Sequence, residues 1–328
     1  MAYYCQGVAY GSIGQHDQAI ADFTKALGIS PNAETLYSRG VSYGSKGQDD
    51  QAISDYTKAL ELNPECFNAY LNRGLAYVNE GQLDQAISDL TLALELNPTS
   101  AEAYVSRGGA YRLKGLHNAA IANFAKALEI DPNNTIAYND RGLVYKDMVQ
   151  YDLAINDFTK ALEITSPNQK TDMVNANRGL AYISNKQLDQ AIADFTKALE
   201  FNPKLTDAYI NRGLAYQQKR LFDEAIAEFT KALEFVSEMA ERAEVLYHRG
   251  KSYGAKGLDN LGINDLTEAI EINPDYAEAY SSRAVGHFFK RDYDKAWDDV
   301  SKAQCMGLDI DPTFLKDLRK ASGKEGNE

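Results

Sequence analysis

Residues 67–100 read FNAYLNRGLAYVNEGQLDQAISDLTLALELNPTS. Tyr70, Arg73, Gly74 and Tyr77 stand at i, i+3, i+4 and i+7, which is one face of a helix. Gly81 then supplies a residue that takes the left-handed backbone that helix ends favour. Asp84 opens a second helix, where a carboxylate suits the positive end of the dipole, and Ala86, Leu90, Ala93 and Leu94 form its apolar stripe. Pro98 closes the unit. The stretch predicts two helices joined by a tight turn, with small residues where they cross.

The unit recurs. Its glycine returns at Gly7, Gly40, Gly108, Gly142, Gly179, Gly213 and Gly250, with Ala284 in a degenerate ninth copy, at a spacing of about 34 residues. Such a short self-similar period means stacked hairpins rather than a closed globule. The expected repeats lie near 1–32, 33–66, 67–100, 101–134, 135–171, 172–205, 206–242, 243–276 and 277–311. Pro31, Pro64, Pro98, Pro132, Pro167, Pro203 and Pro274 all fall between units, where the missing amide donor does no harm. Gly14, Gly47, Gly115 and Gly257 stop the first helix in other copies, and Val149, Lys186, Arg220 and Arg291 replace that glycine.

Two junctions are three residues longer, at Thr165–Lys170 and Phe235–Arg242. The first reads as a longer loop. The second has no proline and reads as an added helical turn. The last unit decays, with Gly262 in place of alanine and His287 in place of tyrosine. Residues 312–320 read as a capping helix whose Phe314, Leu315 and Leu318 cover the open end, and 321–328 as a disordered tail.

Composition excludes several classes. The net charge of −13 repels nucleic-acid phosphates and anionic lipid, so neither nucleic acid nor membrane is an expected partner. No apolar run reaches the length of a membrane span. Cys5, Cys66 and Cys305 lie in different repeats and read as unpaired thiols in a reducing compartment, which points to the cytoplasm. Export stays open, because an upstream signal could precede a chain that starts inside its first helix.

These residues resemble the tetratricopeptide repeat, over residues 1–304. The resemblance implies an all-α, right-handed superhelical solenoid of about nine helix-turn-helix repeats with a C-terminal cap. It departs from the family pattern in carrying tyrosine at the first aromatic and arginine before the glycine, from Arg39 and Arg73 through Arg283. An acid follows that arginine sixteen residues on in most copies, as in Asp55, Asp89, Asp157 and Glu228. One Arg–carboxylate bridge per repeat is expected, fixing register more than adding stability. The repeat style also resembles bacterial arrays.

The resemblance further implies that first helices line the inner groove. Two rows then face a ligand. Asn72, Ser106, Asp140, Asn177 and Asn211 form one, with Asn139 beside it. Leu75, Leu143, Leu180 and Leu214 form the other, one place after each glycine. A carboxamide both donates and accepts, so it can pair with a peptide unit. First helices about 10 Å apart would meet about every third residue of an extended chain that rises roughly 3.3 Å per residue. This row is similar to the asparagine ladder of peptide-binding relatives, though Ser106 and Asp140 break it. Arg112 and Lys146 complete the candidate ligand-binding set. They stand among Glu102, Asp140 and Asp147, which argues against a clamp for a terminal carboxylate and for a neutral or basic peptide.

No His–x3–His or Cys–x2–Cys spacing and no phosphate loop occurs, so no metal, no cofactor and no catalytic residue is expected. The sequence reads as a non-enzymatic scaffold that captures a protein or peptide segment. The alternatives are a self-associating assembly module or homo-oligomer, and the repeat portion of a larger protein with its effector domain elsewhere.

Overall fold

The computed structural model describes residues 1–165 and 171–324. These form nineteen α-helices and no strand, in two compact units, Met1–Ser166 and Pro167–Glu328. The first unit holds five hairpins. They are α1 (Ala2–Ser12) with α2 (His16–Ile29), α3 (Ala33–Gly44) with α4 (Asp49–Leu62), and α5 (Phe67–Asn79) with α6 (Leu83–Leu96). Then come α7 (Ala101–Leu113) with α8 (His117–Ile130), and α9 (Thr135–Asp147) with α10 (Tyr151–Ile164). The second unit holds four: α11 (Asp172–Ser184) with α12 (Leu188–Phe201), α13 (Thr206–Gln218) with α14 (Phe222–Phe235), α15 (Met239–Ala255) with α16 (Asp259–Ile272), and α17 (Ala277–Phe289) with α18 (Tyr293–Cys305). A final helix, α19 (Pro312–Ser322), follows. The fold is the all-α solenoid that the period implies.

Within each unit a hairpin packs on the next through its second helix, as α4 does on α5 and α12 on α13. First helices of successive hairpins also touch within each unit, as in α5 with α7 and α13 with α15, whereas second helices make no comparable contact with one another. The first helices are therefore the closely spaced inner layer of each unit.

A spacing of sixteen residues locks every hairpin. Arg73 and Gly74 on α5 meet Asp89 and Leu90 on α6. Small residues do stand at the crossing, but the principal neighbour of each glycine is the large apolar residue sixteen on. A Cβ at Gly74 would lie 2.8 Å from Leu90, and one at Gly142 would lie 2.8 Å from Phe158. Those partners are fully buried, so they have nowhere to retreat. Glycine is required because the ring or branched chain of the second helix occupies the space its side chain would take.

The expected Arg–carboxylate bridge forms in seven of the nine hairpins, and the first hairpin has Gln6 where the others have arginine. Arg73 Nε and Nη2 donate to the Asp89 carboxylate at 2.6 and 2.9 Å, and Arg39, Arg141, Arg178, Arg249 and Arg283 repeat this fork on their own aspartates. Arg212 makes it to Glu228. Arg107 finds the neutral Asn123 instead, donating to its Oδ1 at 2.9 Å. A third contact escaped the sequence reading: Arg73 Nη1 donates to Thr57 Oγ1 of the preceding hairpin, and Arg107, Arg212 and Arg283 do the same to Thr91, Thr196 and Thr267.

The turns follow the expected chemistry. Gly81 has φ +71°, its amide bonds Val78 O, and the Gln82 amide bonds Tyr77 O, which closes α5. Val149, Lys186, Arg220 and Arg291 hold the same left-handed backbone without glycine. At the second long junction α15 has 17 residues against 13 in α13 and α17, the added turn expected there. Of the first long junction, residues 166–170 lie outside the described residues. The capping helix runs two residues past the expected 320, because Gly323 is the first residue to turn left-handed, at φ +70°. Its fully buried Leu318 packs with Phe314 and Leu315 on Ala284, Ala296 and Val300. Residues 325–328 of the expected tail lie outside the described residues.

Candidate functional site

The twelve candidate ligand-binding residues all fall on first helices, and all are half-buried. For Asn72, Leu75 and their equivalents half-burial follows from position: they stand two before or one after the buried glycine, beside the stripe that packs on the second helix.

In the first unit Asn72 and Leu75 lie on α5, Ser106 and Arg112 on α7, and Asn139, Asp140, Leu143 and Lys146 on α9. Asn72 and Leu75 line a cavity of about 220 Å³ together with Val41, Gly44 and Asp49 of the preceding hairpin. Asn72 Nδ2 donates to Tyr37 Oη at 3.0 Å, so one of its amide hydrogens already ties two hairpins together. On α9, Asn139 Nδ2 donates to Asp140 Oδ1 at 3.0 Å. Burial pushes the Asp140 carboxyl up, while the Asn139 hydrogen bond and the Arg112 charge pull it down. The Arg112 Nε is buried with no hydrogen-bond partner among the described residues. Arg112 and Asp140 thus offset one another, and this stretch presents no surplus of positive charge.

In the second unit Asn177 and Leu180 lie on α11, and Asn211 and Leu214 on α13. Asn211 Nδ2 donates to Asp207 O at 2.7 Å, one turn back on its own helix. Gln217 crosses from α13 to α15, where its Nε2 reaches His248 O at 3.1 Å and Ser252 Oγ at 3.0 Å. His248 stacks on Phe229 with ring centroids 5.8 Å apart. Burial, with Lys251 nearby, pushes its pKa down to about 4, so the ring is neutral at physiological pH. It therefore supplies no charge for an anionic ligand.

A larger cavity, about 440 Å³, opens between α15, α16 and α17, and Lys251, Gly254, Asp259, Val285 and Phe289 are among its lining residues. The sequence reading passed over it. The signal was present as Gly254, which it did not weigh, and as Gly262, which it took for decay of the last unit although that residue belongs to α16 of the eighth hairpin. Gly262 in fact has a packing cause: a Cβ there would lie 2.8 Å from Gly250 O, so α15 and α16 come closer than alanine allows.

Among the described residues no three His, Cys, Asp or Glu side chains gather to hold a metal ion, and no helix is long and apolar enough to cross a membrane.

Known proteins with this architecture are readily found. A family model described as tetratricopeptide repeat matches residues 1–32, 33–66 and 67–100, and a second model of that description matches 136–168, 206–235 and 243–276. A TPR repeat model matches 108–149 and 179–219. Among solved structures, YrrB, described as a TPR protein with an unusual peptide-binding site, is 27% identical, with a TM-score of 0.51 over 58% of this chain and 95% of that one. The C-terminal part of a TPR repeat-containing protein from Cytophaga hutchinsonii is 19% identical, with a TM-score of 0.61 over 75% of this chain and 98% of that one. PilF of Pseudomonas aeruginosa is 21% identical, with a TM-score of 0.58 over 67% of this chain and 98% of that one. The last two are similar in fold.

Proposed function

The chain belongs to the tetratricopeptide repeat family and is a protein–protein interaction scaffold; from this premise we propose that it captures an extended segment of a partner along the inner faces of its first helices, without catalysing a reaction. The observation that carries this reading is the unspent bonding capacity of Asn72 and Asn211 in the half-buried rows. Asn72 and Asn211 each commit an amide hydrogen to the protein, which leaves the carboxamide oxygens for a ligand's N–H groups. Leucines at the next places supply apolar contact beside them. A neutral or basic segment suits a chain of net charge −13, in which burial holds His248 neutral. The similarity to YrrB, a protein described by its peptide-binding site, supports the same reading.

The test starts from a nonapeptide selected against the full chain from a random displayed library. Its affinity is then measured by fluorescence anisotropy for wild type and for the Asn177→Ala/Asn211→Ala double variant. The expected result is binding weakened by about tenfold, equivalent to roughly 1.4 kcal/mol, with an unchanged melting temperature. Unchanged affinity would reject the carboxamide row as the ligand-binding surface.

A further inference from the structure

The 440 Å³ cavity has an origin in the repeat register. Counted from the buried glycine of a first helix, the residue four places on faces the cleft toward the next hairpin. The residue nine places on stands at the start of the second helix beneath it. In the third, sixth and seventh hairpins both are bulky: Val78 with Leu83, Ile183 with Leu188, Gln217 with Phe222. Gln217 gives the direction, since its amide spans the cleft to Ser252. In the eighth hairpin the two places hold Gly254 and Asp259. A Cβ built on Gly254 meets nothing within 4 Å, so the cleft there lacks its usual plug.

The smaller cavity of the first unit arises in the same way, from Gly44 and Asp49. There, however, Asn79 Nδ2 lies 3.3 Å from Asp49 and takes up its charge. Asp259 has no such neighbour: no side-chain hydrogen bond or ion pair joins it to another described residue. The other charge in the lining, Lys251, lies over the Tyr247 ring, 5.0 Å from its centroid. Phe289 stands exposed at the rim. An open apolar cleft thus carries one uncommitted carboxylate.

We propose that this cavity is a specificity pocket that takes one bulky aliphatic or aromatic side chain of a partner peptide, with an adjacent basic residue of that peptide meeting Asp259. The proposal rests on the groove-binding reading above and adds the residue types the partner must carry. Its volume lies within the roughly 300–1,000 Å³ of pockets that enclose small ligands. Burial of apolar area supplies the affinity, and the carboxylate selects the sign of the neighbouring charge.

The probes are fluorescein-labelled peptides of sequence Gly-Ser-X-Z-Ser-Gly-Ser, with X as Ala, Leu or Phe and Z as Arg or Glu, titrated against the full chain. Leu or Phe at X should bind about tenfold or more tighter than Ala, and Arg at Z tighter than Glu. Gly254→Leu fills the cleft and should reduce Leu and Phe peptides to the Ala level. Its melting temperature should hold or rise, because leucine outranks glycine within a helix. Asp259→Asn should erase only the Arg-over-Glu preference.

Binding indifferent to X, or unchanged in Gly254→Leu, would overturn the pocket and leave the groove reading standing. So would a set that fails to bind wild type while the library-selected nonapeptide still does. A wild-type dimer that Gly254→Leu turns into a monomer on sedimentation would overturn it by making a second copy the occupant. Failure of the selected nonapeptide to respond to the Asn177→Ala/Asn211→Ala change, with these preferences intact, would strike the groove reading alone.

Discussion

One guanidinium, that of Arg73, joins three helices. It forks onto Asp89, donates to Thr57 of the hairpin before, and lies between the Tyr70 and Tyr77 rings with its carbon 5.7 and 5.9 Å from their centroids. The acid partner was legible because Arg and Asp recur sixteen residues apart. The threonine was not, since helical threonines also bond their own backbone: Thr91 Oγ1, besides accepting from Arg107, donates to Ile87 O. Arg73→Met should cost about 3–5 kcal/mol, because it leaves the Asp89 carboxylate buried and unpaired. Arg107→Met should cost only about 1 kcal/mol, since Asn123 is neutral and keeps its bond to Ala119 O. Urea denaturation of the two full-length variants checks the difference. Equal losses would mean that the carboxylate's burial is not what sets the cost.

At the scale of the helix, the period fixed what forms and the exceptions marked where local rules yield. Nine first helices need a left-handed residue to end them or to start the turn, and glycine supplies it in five hairpins. Val149, at φ +62°, is the least suited of the four substitutes, because its branched Cβ crowds the carbonyl in that conformation. Val149→Gly should therefore stabilise the chain by about 1 kcal/mol, and Lys186→Gly by less, read as shifts in the urea midpoint. The longer α15 was legible from the absence of proline at Phe235–Arg242. The cleft beside it was not read, although its cause, Gly254 and Asp259 at two plug positions, is written in the sequence. An unfilled space is the loss of a side chain from a pattern, and a reading tuned to find matches passes over it.

At the scale of the chain, the inner layer carries groups whose burial changes their titration. His248 is the clearest: its pKa is held near 4, and Glu244 at 3.9 Å is too distant to offset the burial. In the unfolded chain the same ring titrates near 6.5. Its contribution to stability is therefore complete above about pH 6.5 and is lost as pH falls toward 4, because the unfolded state takes up the proton first. Wild type should lose about 1–2 kcal/mol more than His248→Gln between pH 6.5 and 5, measured by urea denaturation at each pH. Equal losses in the two proteins would show that the ring titrates normally. The rows of half-buried side chains on the first helices were legible from the register of the repeats. The bond from Asn72 to Tyr37 was not, because it joins different hairpins. The central claim is that the first helices hold the partner. Amide hydrogen exchange of the full chain, with and without the saturating library-selected nonapeptide, tests it most directly. Slowed exchange is predicted on α5, α7 and α9 or on α11 and α13, with α6, α8, α12 and α14 unaltered. Protection confined to the second helices, or none at saturation, would contradict it.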